Sequence, residues 1–539
     1  MRYDSEALHG GRPDVGCFRF ENTGGALLWL GLCTEVPSSW HGWEDSGPWS
    51  WSCVERYRVV RGEKSEGSCL GMPIPGMREL PGFPKEGAFI TMIVNTPPRL
   101  ANFCAGFSEI LSASKQMALA LLMAGLLLTA RKRSQSAIGR VVLTGQRNPA
   151  SVSRRMRRKS FGTRDLVRYR MKLQVKREVD HANGKQQTWF LDLDGVCLKR
   201  GGQTKAENAI KYREKKSKRG RSTKAHTFVM GLLITYSGAR ISLPRRSYYT
   251  KEYLQAENKR READSLGNPL TYKTQVDLAC LIVKELELPV NIRLVVLADE
   301  YFEGTKLTEL CRRKGYVFIA PVNSRRNLEG GKKLYARGKA LPRSAYRELV
   351  LRRGEEDTAS HRRHLPGCAG EKGRRAYRFY HERRGVARIG EVGVVYSWKR
   401  KRNRSGGLTS GETFKVLVCS DPDVSPRQII EWFEMRWEVE VYFRDLKSYL
   451  GLCDYQGTDF KALERHVDLV MLSFMLLDEM RLELMSRSRS PVRRARLTAI
   501  RTAGLLRLLE AETRENDAAD LKEIKRLLHE QRTKDRLRA

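Results

Sequence analysis

The sequence predicts an α/β protein whose core of sheet and helix is interrupted by a β-rich insertion and flanked by helical regions. Three observations lead there. Within residues 185–322, apolar runs of strand length alternate with runs of helical period. From 323 to 418 the pattern changes to short alternating strands crowded with Lys and Arg. On either side, residues 92–180 and the tail 486–539 read as helical and basic. A chain of 539 residues is also too long for one ordinary core, so several domains are expected.

Residues 1–91 differ from everything after them. They hold five of the nine tryptophans, 14 glycines and 7 prolines, with no sustained period. Two readings fit: a low-complexity, loop-rich appendage, or an over-extended reading frame upstream of a start at Met92. Composition favours the second. From Pro98 the pattern turns helical, through "LANFCAGFSEILSASKQMALALLMAGLLLTARK", "SQSAIGRVVL" and "NPASVSRRMRRKSF". The apolar run at 117–130 is shorter than the roughly 20 residues a spanning helix needs. Lys115 and Arg131, Lys132 and Arg133 bound it, so a buried helix is expected. The cluster Arg154, Arg155, Arg157, Arg158 and Lys159 suits a small helical bundle that grips DNA phosphates. A bundle with a merely solvated basic face is the alternative.

The core opens with "TWFLDLDGV" at 188–196, an apolar run ending at Asp194 and Gly195. The stretches at 226–236 and 239–244 follow as a hairpin around Ser237 and Gly238. "TYKTQVDLACLIVKELEL" reads as a helix, "IRLVVLADEYF" as a buried strand ending at Asp299, and "EGTKLTELCRRKG" as the helix after it. "YVFIAPV" at 316–322 closes this part. Within the insertion, "RRAYRFYHERRGVARIGEVGVVYSWKR" and "ETFKVLVCSD" give the clearest strands. The second part of the core, 419–485, starts with a helix at Ser425 and contains the core helix "HVDLVMLSFMLLDEM" at 466–480.

Charge narrows the partners. Lys+Arg outnumber Asp+Glu by 100 to 62, a net of +38. Residues 1–91 carry 9 basic and 12 acidic side chains, so the balance beyond them is +41. Such an excess argues for a polyanion, with nucleic acid before an anionic membrane surface. Eleven cysteines lie scattered with no CxxC pair, which fits a reduced cytosolic protein better than a disulfide framework or zinc site. No membrane span or signal peptide is visible.

One segment, "EMRWEVEVYFRDLKSYLGL" at 434–452, reads as a helix continuing back to Ile429. At about 100° per residue, Phe433, Arg436, Glu440, Arg444 and Lys447 form one narrow stripe. Apolar residues border it: Ile430, Trp437 and Val441 on one side, Trp432, Val439, Phe443 and Leu450 on the other. Glu431, Glu434, Glu438 and Asp445 share the back, which reads as the water-facing side, with the stripe turned to a cleft. The bland alternative is a ladder of i,i+4 salt bridges, Arg436 to Glu440 to Arg444, worth about 0.2–0.5 kcal/mol per pair.

Asp194, Asp299 and Glu440 then stand out together. Both aspartates are expected at the C-terminal ends of adjacent strands, where α/β sheets place their sites. Three acids converging in a strongly cationic protein suit divalent metal ions held against DNA phosphates, since Mg²⁺ prefers carboxylate oxygens. Mn²⁺ is expected to substitute. The cations of the Glu440 stripe would grip the backbone beside the reacting phosphate. Asp192 lies on the same face as Asp194 by strand period and remains the alternative first aspartate.

At these residues the sequence resembles the DDE transposases of bacterial insertion sequences, in the group marked by Tyr-x2-Arg-x3-Glu-x6-Lys (insertion-sequence family four type). Arg436, Glu440 and Lys447 fit that spacing, and Phe433 stands where the family usually has Tyr, which removes one hydroxyl contact to DNA. "LVVLADEYF" looks like the second-aspartate block. "FLDLDGVCLKRGG" looks like the first, with Gly195 and Val196 where Gly-Thr or Asp-Thr is usual. The resemblance spans about residues 98–480. It implies an RNase H-like core split as 185–322 and 419–485 around the insertion, with an N-terminal DNA-binding region. Asp194, Asp299 and Glu440 would be catalytic and metal-binding, and Arg436, Arg444, Lys447 and Phe433 DNA-binding. The implied activity is cleavage at transposon ends and transfer of the 3′ hydroxyl into target DNA. Terminal inverted repeats and target DNA are the implied partners, within a homodimer or larger synaptic assembly in the bacterial cytoplasm, on the nucleoid. An RNase H-like nuclease that cuts without joining, and an inactive DNA-binding descendant, are the competing readings.

Three features carry less. The run 213–224 reads as a mobile basic loop between strands. His361, His364 and Cys368 lack a fourth partner for a metal site. Trp432 and Trp437 are expected to pack in the core rather than stack on a base.

Overall fold

The computed structural model describes residues 15–21, 27–33, 60–61, 97–129, 133–134, 137–138, 154, 156, 162–200, 205–213, 222–265, 268–351, 375–402, 408–455, 457–487 and 502–513. The chain divides into two compact units, Met1–Ala88 and Phe89–Ala539. In the first, β1 (Val15–Glu21) pairs antiparallel with β2 (Leu27–Cys33), and β2 with β3 (Val60–Arg61). A small sheet thus stands in a stretch whose sequence shows no sustained period, because its alternation lasts only a few residues at a time.

The second unit is mixed α/β. Helices α1 (Pro98–Ala105), α2 (Ala113–Leu128) and α3 (Thr163–Ala182) come first. The apolar run near 117–130 does form a buried helix, α2. No helix among the described residues is long and apolar enough to cross a membrane. Of the basic cluster at 154–159, only Arg154 belongs to the described residues among those named above.

A single mixed sheet of ten strands follows. Its members are β4 (Gln187–Arg200), β5 (Ile210–Arg213), β6 (Ser222–Ile234), β7 (Arg240–Ser247), β8 (Ile292–Ala298), β9 (Val317–Pro321), β10 (Arg347–Leu351), β11 (Arg375–Val386), β12 (Gly390–Arg402) and β13 (Leu408–Cys419). Between them lie α4 (Lys251–Ala263), α5 (Gln275–Glu285), α6 (Thr305–Arg313) and α7 (Leu334–Ala340). Helices α8 (Pro426–Glu434), α9 (Trp437–Ser448), α10 (Phe460–Ser486) and α11 (Thr502–Thr513) complete the chain.

The order is β10-β11-β12-β13-β9-β8-β4-β6-β5, with β7 also on β6. Strand β4 runs parallel to β8 and antiparallel to β6, and β8 runs parallel to β9. This arrangement is consistent with the RNase H-like core that the resemblance implies. The parallel centre is apolar on both sides, as "LVVLA" of β8 requires, since helices cover both faces. Gly238 turns the β6–β7 hairpin at φ 86°, a left-handed conformation that favours glycine. The insertion does more than interrupt. Its last strand, β13, pairs antiparallel with β9, so β10–β13 prolong the core sheet while keeping a second apolar cluster of their own, including Leu328, Val394, Tyr396 and Val416.

Local sequence sets the helix starts nearest the site. Thr274 and Asp277 form a reciprocal capping box that opens α5, and Ser425 and Gln428 form another for α8, with Pro426 at its first position. The run 213–224 contributes its ends to β5 and β6, and its residues 214–221 lie outside the described ones, as do His361, His364 and Cys368.

Candidate functional site

Strands β4 and β8 pair in register from Gln187 with Ile292 to Leu193 with Ala298. One step further, Asp194 therefore stands abreast of Asp299, just past the end of β8. The expected end of β4 at Asp194 is not observed. The strand continues to Arg200, paired with β6 alone, and Gly195 faces Val229 in that ladder. Gly195 does not release the backbone; it makes room. A Cβ built there would sit 3.0 Å from Gln275 Oε1 and 4.0 Å from Phe302 Cζ. The two aspartates of "DLD" share a face of β4, as period two requires, but not an environment. Asp192 is fully buried, whereas the Asp194 side chain keeps 17% of its exposure.

The single helix expected from Ile429 onward is broken. Amides of Met435, Arg436 and Glu438 bond to carbonyls three residues back, at 3.0, 3.1 and 2.9 Å, so a tight turn separates α8 from α9. The assignment of faces is also reversed. Glu438 and Asp445 are buried, at 4% and 2%, while Glu440, Arg444, Lys447 and Trp437 are exposed. Glu434 is held by Arg375, Lys399 and Tyr377. Glu431 pairs with Arg427. The physical reason is pairing: buried acids are tolerated where fixed cations and donors meet them. Thr502 donates to Asp445 at 2.8 Å, and Glu438 lies in the field of Arg240 and Arg481. Trp437, expected in the core, is 56% exposed. Trp432 does pack inward, edge-on to Phe190 and with Arg293 over its ring.

Arg436 joins the two halves of the site. Its guanidinium donates to Asp194 Oδ2 at 3.1 Å and to Glu440 Oε1 at 2.9 Å. So the Arg436–Glu440 rung of the surface ladder exists, but the same group reaches across to β4. Arg444 has turned to Asp445 at 3.7 Å, and Lys447 lies over the ring of Phe443. Phe433 is half-buried with Lys415 above its ring.

The electrostatics tie all three acids together. Burial pushes the Asp194 carboxyl up to about 6; Arg436 opposes this, and Asp299 and Glu440 add to it. Burial, with Glu438 adding its charge, lifts Asp192 well above the carboxylate range. Asp192 offers no exposed surface to a cation, whereas Asp194 keeps some. Lys415 of β13 is a site residue that sequence reasoning missed. It reaches solvent, yet the protein around it and then Arg436 pull its ammonium below the ordinary range, and Glu440 counteracts them. Its only sequence signal is the alternation of "ETFKVLV", which puts Lys415 opposite the inward-facing Val416.

Among the described residues, no group of three or more His, Cys, Asp or Glu side chains stands ready to hold a metal ion. In kind, the donors of Asp194, Asp299 and Glu440 fit a hard cation, and the repulsion that Asp299 and Glu440 add to the burial of Asp194 is what a divalent ion would relieve. In position, Arg436 now supplies the positive charge shared by Asp194 and Glu440. The six described cysteines that are free, Cys104 to Cys453, form no metal site either.

No curated protein matches the chain. Residues 276–476 match the family model described as "Transposase DDE domain", a span that contains Asp299, the insertion, Arg436, Glu440 and Lys447, and begins after Asp194. The match supports a DDE transposase, an enzyme that processes DNA.

Proposed function

We propose that the protein is an insertion-sequence transposase of the Tyr-Arg-Glu-Lys group that cleaves DNA at the element's ends and joins the freed 3′ hydroxyl to target DNA. One observation carries this reading: Asp194 and Asp299 stand abreast at the edge of two parallel strands, and Arg436, in the turn that opens α9, binds Asp194 to Glu440. Asp194, Asp299 and Glu440 would hold a divalent cation, Mg²⁺ or Mn²⁺, which when bound polarises the phosphoryl group and activates the attacking hydroxyl or water. Arg436 has two carboxylates to release and a DNA phosphate to gain, since guanidinium binds either anion through paired hydrogen bonds. Lys447 and Arg444 extend along the exposed face of α9 and would bind successive backbone phosphates. Phe433, below Lys415, would face the DNA without the hydroxyl contact of the usual Tyr. Cleavage and joining at two ends imply a homodimer or larger assembly.

The test is strand cleavage beside gel-shift binding for Asp194→Asn, Asp299→Asn and Glu440→Gln. Each substitution keeps size and polarity but removes the charge that holds a cation. Cleavage dependent on Mg²⁺ or Mn²⁺ is expected to vanish in all three and in wild type treated with chelator, with DNA binding retained. If Glu440→Gln cuts at the wild-type rate, the assignment fails.

A further inference from the structure

We infer that Tyr272 and Tyr301 form a stacking surface for unpaired DNA bases beside the edge where Asp194 and Asp299 lie; the inference rests on the DNA-cutting reading above. Eight large apolar side chains are exposed among the described residues, and three of these are aromatic: Tyr272, Tyr301 and Trp437. Trp437 and Tyr301 adjoin candidate-site residues, and Tyr272 lies within electrostatic reach of Tyr301. Trp437 follows Arg436. Tyr301 donates its backbone N–H to Asp299 Oδ1 at 2.9 Å. Tyr272 precedes the capping box of α5, whose first residue Gln275 abuts Gly195.

Their chain neighbours Gln275 and Phe302 lie against Gly195 of β4, whereas Glu440 comes from α9. Phe302, next to Tyr301, is 1% exposed and provides the anchor beneath Gly195, leaving Tyr301 edge-on to it at 5.4 Å and 56% exposed. Tyr272 is held in place although it is open to solvent. Its hydroxyl lies 2.8 Å from that of Tyr248, the two rings meet edge-on at 6.1 Å, and Lys251 Nζ lies 5.7 Å above its ring. A fixed, exposed ring with an ammonium over one face matches a base stacked on the other and its phosphate. Paired bases inside a duplex offer no free face, so the occupant is unpaired nucleotides. The +38 balance of the chain agrees with a polyanion there.

The experiment uses the full chain and two DNA duplexes of one sequence, one fully paired and one with a short unpaired end carrying 2-aminopurine. Wild type is expected to bind the unpaired end more tightly and to change the probe's fluorescence on binding. Tyr272→Ala with Tyr301→Ala should reduce that preference on the order of tenfold, the usual scale for losing an aromatic partner of a base. Tyr272→Phe with Tyr301→Phe keeps both rings and should restore the preference, which separates stacking from misfolding. If the alanine variant folds and prefers the unpaired end as wild type does, the stacking surface is refuted while the transposase reading stands. If wild type binds neither DNA, both fall. A change in the sedimentation of the DNA-free alanine variant, with the preference intact, would show an interface between copies of the chain instead.

Discussion

The two faces of α9 carry similar residues and do opposite things. On one face Glu438, Tyr442 and Asp445 are buried, each held by the rest of the chain: Tyr442 shares a 2.9 Å hydrogen bond with Ser242, Thr502 donates to Asp445, and Glu438 lies near Arg240 and Arg481. On the other, Trp437, Glu440, Arg444 and Lys447 are exposed, and only Glu440 is tied to a cation that also serves another element. A glutamate two residues away from another thus belongs to the scaffold while its neighbour belongs to the candidate site. The difference lies in what surrounds each group, not in its type. Buried ions here fix the position of α9; exposed ones remain available to a partner.

This contrast can be broken first from the buried side. Asp478 of α10 bonds Arg240 of β7 at 2.8 Å and Arg481 at 2.9 Å, all three inside the protein. Asp478→Ala leaves two guanidiniums without their carboxylate and is expected to cost about 3–5 kcal/mol in urea unfolding. A loss under about 1 kcal/mol would mean that this network does not hold the scaffold. Next comes the rim. The folded Asp194 carboxyl titrates at about 6, above the ordinary value near 3.9. Its raised value means that the folded state holds the proton longer than the unfolded state. Stability from this group is therefore full below about pH 4 and lost as pH rises through 6, at about 1.4 kcal/mol per unit. Metal-free Asp194→Asn should accordingly be more stable than wild type at pH 7, by up to about 3 kcal/mol, with the gain fading toward pH 4. Adding Mn²⁺ should shrink the gain, because only wild type binds it. A gain independent of pH would contradict the account of Asp194 given above. The smallest effect on folding belongs to the open face. Lys447→Ala should change stability by less than about 0.5 kcal/mol. It should weaken DNA binding by about 1.5–3 kcal/mol and lower the salt slope by roughly one unit.

Much of the fold was legible because its core strands are apolar on both faces and bounded by clear turn and capping residues. The run "LVVLA" before Asp299, the hairpin at Gly238 and the box of Thr274 with Asp277 each carry their own local signal. The spacing of Arg436, Glu440 and Lys447 was legible too, though their role in catalysis stays a proposal. What failed was the direction in which α9 faces. Its two polar stripes are both bordered by Trp, Val, Tyr and Phe, so periodicity alone cannot choose the buried one. The choice is made by Arg240, Arg481 and Thr502, which no local window contains. The run of β4 past Gly195 was hidden for a similar reason: only its pairing with β6 keeps it a strand there. Lys415 belongs to the same class, since its neighbours Arg436 and Glu440 come from another element.

The hydrogen bond from Arg436 to Asp194 spans 242 positions of the chain. During synthesis the first aspartate leaves the ribosome long before its helix does. At about 5–20 residues per second, the delay is roughly 10–50 s. Through that interval β4 already carries Asp192 and Asp194 without the helix that covers one and the turn whose Arg436 pairs with the other. A chain halted within the insertion holds both aspartates of the proposed triad but no Glu440, and so has no complete site. Completion is therefore timed by translation itself, and limited proteolysis of chains arrested before and after residue 448 would read that order directly.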